Sequence, residues 1–160
     1  MIFFKRNKQL LAVCDGKCAE LAQIPDEAFS SGMLGQGVAL LPTSGAFFSP
    51  VNGRVESIAE GKHAYTLLSE DGLELLIHIG VDTVELKGEP FTPLVHEGDS
   101  VRAGEPLVRV NLKRITDRGL STATALLITN PEKIEITDQR HGDVIGGKDA
   151  VLTYRVVQKG

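Results

Sequence analysis

Turn dipeptides punctuate this chain at a spacing that leaves little room for long helices. Asp15-Gly16, Gly35-Gln36-Gly37, Asn52-Gly53, Asp71-Gly72, Gly98-Asp99, Gly104-Glu105 and Gly146-Gly147 recur along its 160 residues. Asn-Gly and Asp-Gly favour tight hairpins because both positions tolerate positive φ. Between these signals lie short runs rich in Val, Ile and Leu, at residues 37–41, 54–58, 64–68, 73–79, 106–110, 123–128 and 151–157. Short aliphatic runs at such regular spacing read as an all-β sandwich or barrel. The expected fold class is therefore an antiparallel, barrel-like β-sandwich with short helical turns. No alternation of strand and helix points to a parallel sheet. Two helical turns are expected, one over 25–29 with Pro25 at the first helical position and one over 112–119 closed by Gly119. No linker, charge block or solenoid repeat divides residues 1–160, which read as a single domain.

Composition narrows the function classes. Hydrophobic residues make up 42% and charged residues 24%, so the chain can bury a core and wholesale disorder is excluded. The formal charge of −4 argues against nucleic acid as a partner, because phosphate backbones are bound by clustered Lys and Arg. No apolar run approaches the ~18 residues of a membrane helix. Met1-Ile2-Phe3-Phe4-Lys5-Arg6-Asn7-Lys8 places its apolar residues before its basic ones, the reverse of a secretory leader, so a cytoplasmic location is expected. Cys14 and Cys18 occur as Cys-Asp-Gly-Lys-Cys with no second Cys or His pair at zinc-ligand spacing, and read as two reduced thiols near a glycine turn.

Of the four histidines, His96 and His141 fall in polar turns. His78 lies inside Leu73-Glu74-Leu75-Leu76-Ile77-His78-Ile79-Gly80, an otherwise apolar strand, with Gly80 and Asp82 marking its end. His63 stands fifteen residues earlier, on the expected preceding strand across the Glu70-Asp71-Gly72 turn. A four-residue loop over 69–72 would set the two directly opposite, with Cβ atoms about 4.5–5.5 Å apart. A two- or three-residue loop would shift the register and, without a bulge, divide them between faces. Two facing imidazoles suit metal binding or phosphoryl chemistry. A zinc site needs a third protein ligand, so His63 and His78 alone make at most a transient zinc pair. In phosphoryl chemistry one neutral imidazole attacks phosphorus while the other steadies the phosphoryl oxygens. No nucleotide-binding phosphate loop or kinase signature is present, so the phosphoryl group would arrive from another protein.

The run His78-Ile79-Gly80-Val81-Asp82-Thr83-Val84-Glu85-Leu86-Lys87-Gly88-Glu89-Pro90-Phe91 resembles the active-site segment of the glucose-type enzyme IIA domain of the bacterial sugar phosphotransferase system. Pro50-Val51-Asn52-Gly53, Lys62-His63-Ala64, Ile24-Pro25-Asp26-Glu27-Ala28-Phe29, Gly35-Gln36-Gly37-Val38-Ala39, Glu97-Gly98-Asp99-Ser100-Val101-Arg102-Ala103-Gly104 and Thr129-Asn130 extend the resemblance over nearly the whole chain. It implies an antiparallel β-sandwich and a phosphotransferase in which His78 is phosphorylated and His63 supports it. The implied donor is the histidine-containing phosphocarrier protein. The implied acceptor is a cysteine on the IIB domain of a membrane sugar transporter, so the membrane is met only through that partner. No cofactor is implied. Docking two partners in turn calls for an apolar face with a charged rim; Ala28, Phe29, Leu76 and Ile79 are the expected face, and Asp26, Asp82 and Glu85 the expected acidic rim. Two departures stand out. Gly61 occupies the position where the family has threonine, and Val13-Cys14-Asp15-Gly16 replaces its usual N-terminal hairpin sequence. Some family members carry an amphipathic N-terminal tail; here residues 1–8 are short, and Ile2-Phe3-Phe4 read as a first strand. Three other readings compete: a lysostaphin-like zinc hydrolase, a biotinyl- or lipoyl-type carrier around Lys148, and a regulatory protein that binds partners according to its phosphorylation state.

Overall fold

The computed structural model of the chain describes residues 2–4 and 8–159. Residues 1 and 5–7 of the N-terminal stretch lie outside them; Ile2–Phe4 form the expected first strand. The elements in order are β1 (Ile2–Phe4), β2 (Lys8–Leu11), β3 (Cys14–Glu20), α1 (Glu27–Ser30), β4 (Gln36–Phe48), β5 (Gly53–Ile58), β6 (Ala64–Ser69), β7 (Glu74–His78), β8 (Phe91–Pro93), β9 (Ser100–Val101), β10 (Pro106–Val110), α2 (Leu112–Asp117), β11 (Thr124–Ile128), β12 (Ile134–Gln139), β13 (Gly142–Val144) and β14 (Ala150–Lys159).

All strand pairs are antiparallel, as the turn rhythm predicts. The larger sheet runs β13-β3-β4-β11-β7-β6-β5-β9, with β10 added on β4 and β8 on β10. The long β4 serves two neighbours on one side: residues 36–40 pair with β11 and residues 46–48 with β10. The smaller sheet centres on β14, which pairs with β1, β2 and β12. Alternation sorts each strand of the larger sheet between two faces. On β7, Leu75 and Ile77 enter the main core with Tyr65, Phe47 and Leu40, while Leu76 and His78 take the other face.

Two local expectations change. The first helix starts at Glu27, not Pro25, because Asp26 caps it: its carboxylate accepts a hydrogen bond from the Ala28 N–H at 2.9 Å. Asp15-Gly16 is no turn. It lies inside β3 at a register shift against β4, where Gly16 lets the Leu41 carbonyl approach the backbone. Cys14 and Cys18 are buried free thiols on that strand, and burial pushes the Cys18 thiol up to about 11, which leaves it inert at neutral pH. The second helix ends as expected, with the Leu120 N–H bonded to the Ile115 carbonyl and Gly119 left-handed.

The β6–β7 hairpin is tied down at its turn. Asn130 accepts from the Glu74 N–H at 2.8 Å and donates to the Gly72 carbonyl at 2.9 Å. Asp71 takes the Tyr154 hydroxyl at 2.9 Å and the Lys8 ammonium at 2.8 Å, joining the turn to β14 and β2. One end of the hairpin is thereby fixed, and the histidines lie at the other.

Candidate functional site

His78 is the last residue of β7, between β6 and β11. The residue opposite it is alanine on both sides, Ala64 and Ala125. Ala125 faces Ala39 on β4, and Ala39 faces Ala19 on β3. Directly opposed residues share a sheet face, so a row of four alanines and one histidine crosses five strands. Among such small neighbours on the sheet there is room for other rings over the imidazole, which is half-buried against Phe29 and His63. Phe29, carried over this face by α1, is 6% exposed and lies 4.7 Å from the His78 ring, centroid to centroid. The alanines escaped the sequence reading; their signal was small side chains in mid-strand where Val or Leu would otherwise be expected.

After His78 the chain turns sharply. Gly80 has φ of +78°, and a Cβ there would collide with the Thr83 methyl group and come within 2.9 Å of the Ser121 carbonyl. The turn brings the Gly80 carbonyl to 2.9 Å from His78 Nδ1. A carbonyl only accepts, so Nδ1 carries the proton and Nε2 is left with its lone pair. Thr83, also unforeseen, is fully buried, and its hydroxyl donates to the Ile79 carbonyl at 2.5 Å. The turn is further held by the Val81 N–H on the Ser121 carbonyl at 3.0 Å.

His63 reaches the same place by a route that differs from the expected one. The hairpin loop has three residues, Glu70-Asp71-Gly72, with Gly72 left-handed and Ser69 bonded to Leu73. Ala64, not His63, therefore opposes His78. His63 lies one residue before β6, directly after Lys62, whose φ is 62°. It is this bend outside the strand, not the pleat, that sets the two rings 5.0 Å apart and nearly perpendicular, at 79°. His63 is 8% exposed, backed by Phe91 at 6.5 Å. Among the described residues the non-glycine residues with positive φ are Lys62, Asp82 and Lys87, and all flank this pair. Such conformations cost on the order of 1–3 kcal/mol each and cluster where a site imposes them.

Burial, the largest influence, lowers the pKa of both histidines. The neighbouring His63 lowers His78 further, while the Gly80 carbonyl, Asp26 and Asp82 pull it back up. Both rings are thus neutral at neutral pH and stay so somewhat below the ordinary value of 6.5. The sign follows for stability. Below pH 6.5 the unfolded chain takes up protons that the folded chain refuses, so folding weakens as pH drops through that window. A ring-nitrogen NMR titration is expected to give midpoints below 6.5 for His63 and His78, whereas a midpoint above it would contradict the desolvated pair.

The remaining expected positions divide. Asp26 and Asp82 act electrostatically on His78, and Asp82 and Glu85 are exposed. Leu76 and Ala28 are half-buried, with Leu76 packed against the Phe29 cluster. Ile79 is a correction: it is fully buried in the main core because it follows His78 by one residue and so takes the opposite face, and it offers no surface to a partner. Exposed apolar side chains are found instead at Met33 and Leu34, in the loop after α1, and at Val84, in the turn after Asp82. Among the described residues no three His, Cys, Asp or Glu side chains converge as metal ligands, which leaves the zinc-hydrolase reading without its third ligand.

Known proteins resemble this chain in sequence and in fold. The family model for the phosphoenolpyruvate-dependent sugar phosphotransferase system, EIIA 1, matches residues 8–134. The chain is similar to the glucose-specific EIIA component of Staphylococcus aureus, at 41% identity over 92% of this chain and 90% of that protein. It is also similar to the glucose-specific EIIA component of Haemophilus influenzae, at 34% identity over 94% and 93%. The solved glucose permease IIA from Mycoplasma capricolum superposes with a TM-score of 0.89 at 36% identity, covering 96% of this chain and 99% of that one. A neutral histidine pair on an antiparallel β-fold, carried by a sequence this close, places the chain in the EIIA 1 family of the phosphoenolpyruvate-dependent sugar phosphotransferase system, as one of its phosphoryl carriers.

Proposed function

We propose that His78 is the phosphoryl-carrying residue, that His63 assists it, and that residues 1–160 act as one enzyme IIA domain in the cytoplasm. The observation that carries this reading is the hydrogen bond from His78 Nδ1 to the Gly80 carbonyl, because it leaves Nε2 free as a nucleophile beside a second imidazole. The Nε2 lone pair forms the new N–P bond as the donor's N–P bond breaks and the donor imidazole keeps that electron pair. The Nδ1–H keeps donating to the Gly80 carbonyl, which steadies the positive charge the ring acquires. In the onward step the N–P bond breaks toward the His78 ring as the acceptor's nucleophile bonds to phosphorus. His63 hydrogen-bonds the phosphoryl oxygens throughout.

The donor is the histidine-containing phosphocarrier protein and the acceptor a cysteine of a IIB domain, the membrane being met only through the transporter. Met33, Leu34 and Val84 provide apolar contact, and Asp26, Asp82 and Glu85 provide the negative rim that favours a basic donor. The relatives' names make glucose the first sugar to test. Incubation with phosphoenolpyruvate, enzyme I and the phosphocarrier is expected to place one acid-labile phosphoryl group on the protein, and omission of the phosphocarrier to prevent it. No labelling with all components present would overturn the proposal.

A further inference from the structure

Gly61 is the glycine whose absent side chain makes room for a functional ring. Its φ is not positive, so the backbone there does not itself demand glycine. At Gly37, Gly45, Gly53 and Gly146, the other described glycines with ordinary φ, an added Cβ would strike backbone atoms of a neighbouring segment. At Gly61 it would strike the His63 imidazole, lying 2.8 Å from Nδ1 and 3.1 Å from Cε1. The notch has a lid as well. The Val84 side chain comes within 3.7 Å of the same point, and a Cβ on Gly88 would lie 3.5 Å from Lys62 Cδ and 3.6 Å from the Gly61 carbonyl oxygen. The turn that follows His78 therefore packs back over the Gly61–Lys62 corner.

His63 Nδ1 is buried inside this notch and has no hydrogen-bond partner. An enclosed nitrogen cannot reach a phosphoryl group, which leaves Nε2 as the nitrogen available to the shared site. We propose that Gly61 is a positioning residue: its missing side chain seats the His63 ring with Nδ1 turned away, so that Nε2 meets the phosphoryl group on His78. Packing does here what a hydrogen-bonding side chain would otherwise do. The Gly61 backbone partly offsets the effect of burial on the His63 ring and so favours its charged form.

The functional part of this inference rests on His78 carrying the phosphoryl group; the seating of the ring does not. The test is Gly61→Ala together with Gly61→Ser, each alone and combined with His63→Gln. In the unphosphorylated proteins, ring-nitrogen NMR signals of His63 are expected to move in both single variants while those of His96 and His141 stay in place. Onward transfer from phosphorylated Gly61→Ala is expected to slow about ten- to a hundredfold, because sub-ångström misplacement of a positioned group carries penalties of that order. Gly61→Ser is expected to recover part of that loss, since its hydroxyl gives Nδ1 a partner. With His63 already replaced by glutamine, Gly61→Ala is expected to change the rate less than twofold. Unmoved His63 signals in Gly61→Ala would overturn the seating, even in a protein that takes no label. An equal loss with and without His63 would reduce Gly61 to a general structural role. Absence of labelling in the unsubstituted protein would instead indict the carrier assignment.

Discussion

His78→Ala is expected to take up no acid-labile phosphate from phosphoenolpyruvate under conditions that label the unsubstituted protein fully. The expectation rests on which atom forms the bond. His78 Nδ1 is committed to the Gly80 carbonyl, so the single nucleophilic nitrogen of that ring is Nε2, and alanine removes it. His63 does not replace it, because one of its nitrogens is enclosed and its ring is set to face His78 rather than an incoming partner. Loss of the fold does not explain such a result either. The position is flanked by Ala64 and Ala125 and lies outside the main core, so alanine there forfeits the ring contacts with Phe29 and His63 and the hydrogen bond to the Gly80 carbonyl, a bond worth about 0.5–1.5 kcal/mol net. Aromatic contacts of that kind contribute about 0.5–1.5 kcal/mol. A melting curve near that of the unsubstituted protein, together with absent label, is the expected pair of observations. Labelling of His78→Ala at any appreciable level would place the phosphoryl group elsewhere.

How the sequence announced this site depends on the kind of physics behind each part. Strand interiors were legible because short aliphatic runs bounded by turn residues fit buried strands, as in the run that ends at His78. Turn residues were legible because positive φ selects Gly, Asn and Asp, as at Asp71-Gly72. The register of the β6–β7 hairpin was not. A single residue of loop length moves every partner, and three- and four-residue loops have overlapping sequence preferences. The pairing of His63 with His78 survives that shift only because Lys62 adopts a left-handed conformation that its side chain does not advertise. Ile79 was misassigned for the same reason of parity: adjacent strand residues face opposite ways, so a functional His78 obliges Ile79 to enter the core. The edge strands β2, β8, β9 and β13 are too short for a period to show. Glycines that sit in ordinary conformations, Gly61 above all, carry their meaning in what stands beside them, and only a three-dimensional arrangement reveals that.

His63→Gln is expected to separate the two halves of the transfer. Glutamine keeps an N–H donor of similar reach, so His78 Nε2 should still accept a phosphoryl group and reach nearly full labelling. Onward transfer is expected to fall by about 10²–10³, the order that goes with losing preorganised stabilisation of a developing anionic centre, because glutamine keeps a neutral donor but cannot become a cation there. The asymmetry has a physical source. Phosphoryl transfer spreads charge over the equatorial oxygens as the N–P bond loosens, and in the onward step that loosening occurs on this protein. An imidazole answers the growing charge by taking up the proton that the acceptor's thiol gives up as it bonds to phosphorus, and the Gly61 backbone, which favours the charged ring, supports that state. A primary amide has no such second state. Rapid-quench measurement of label leaving the phosphorylated variant for a IIB domain gives the onward rate directly, and the time course of label uptake gives the other. If both rates fall together, His63 serves the common geometry of the site. If neither falls, the second imidazole is a packing group for His78 and Phe91. Only a selective loss in the onward step fits a neutral ring, seated in a glycine notch, that becomes charged when the phosphoryl group departs.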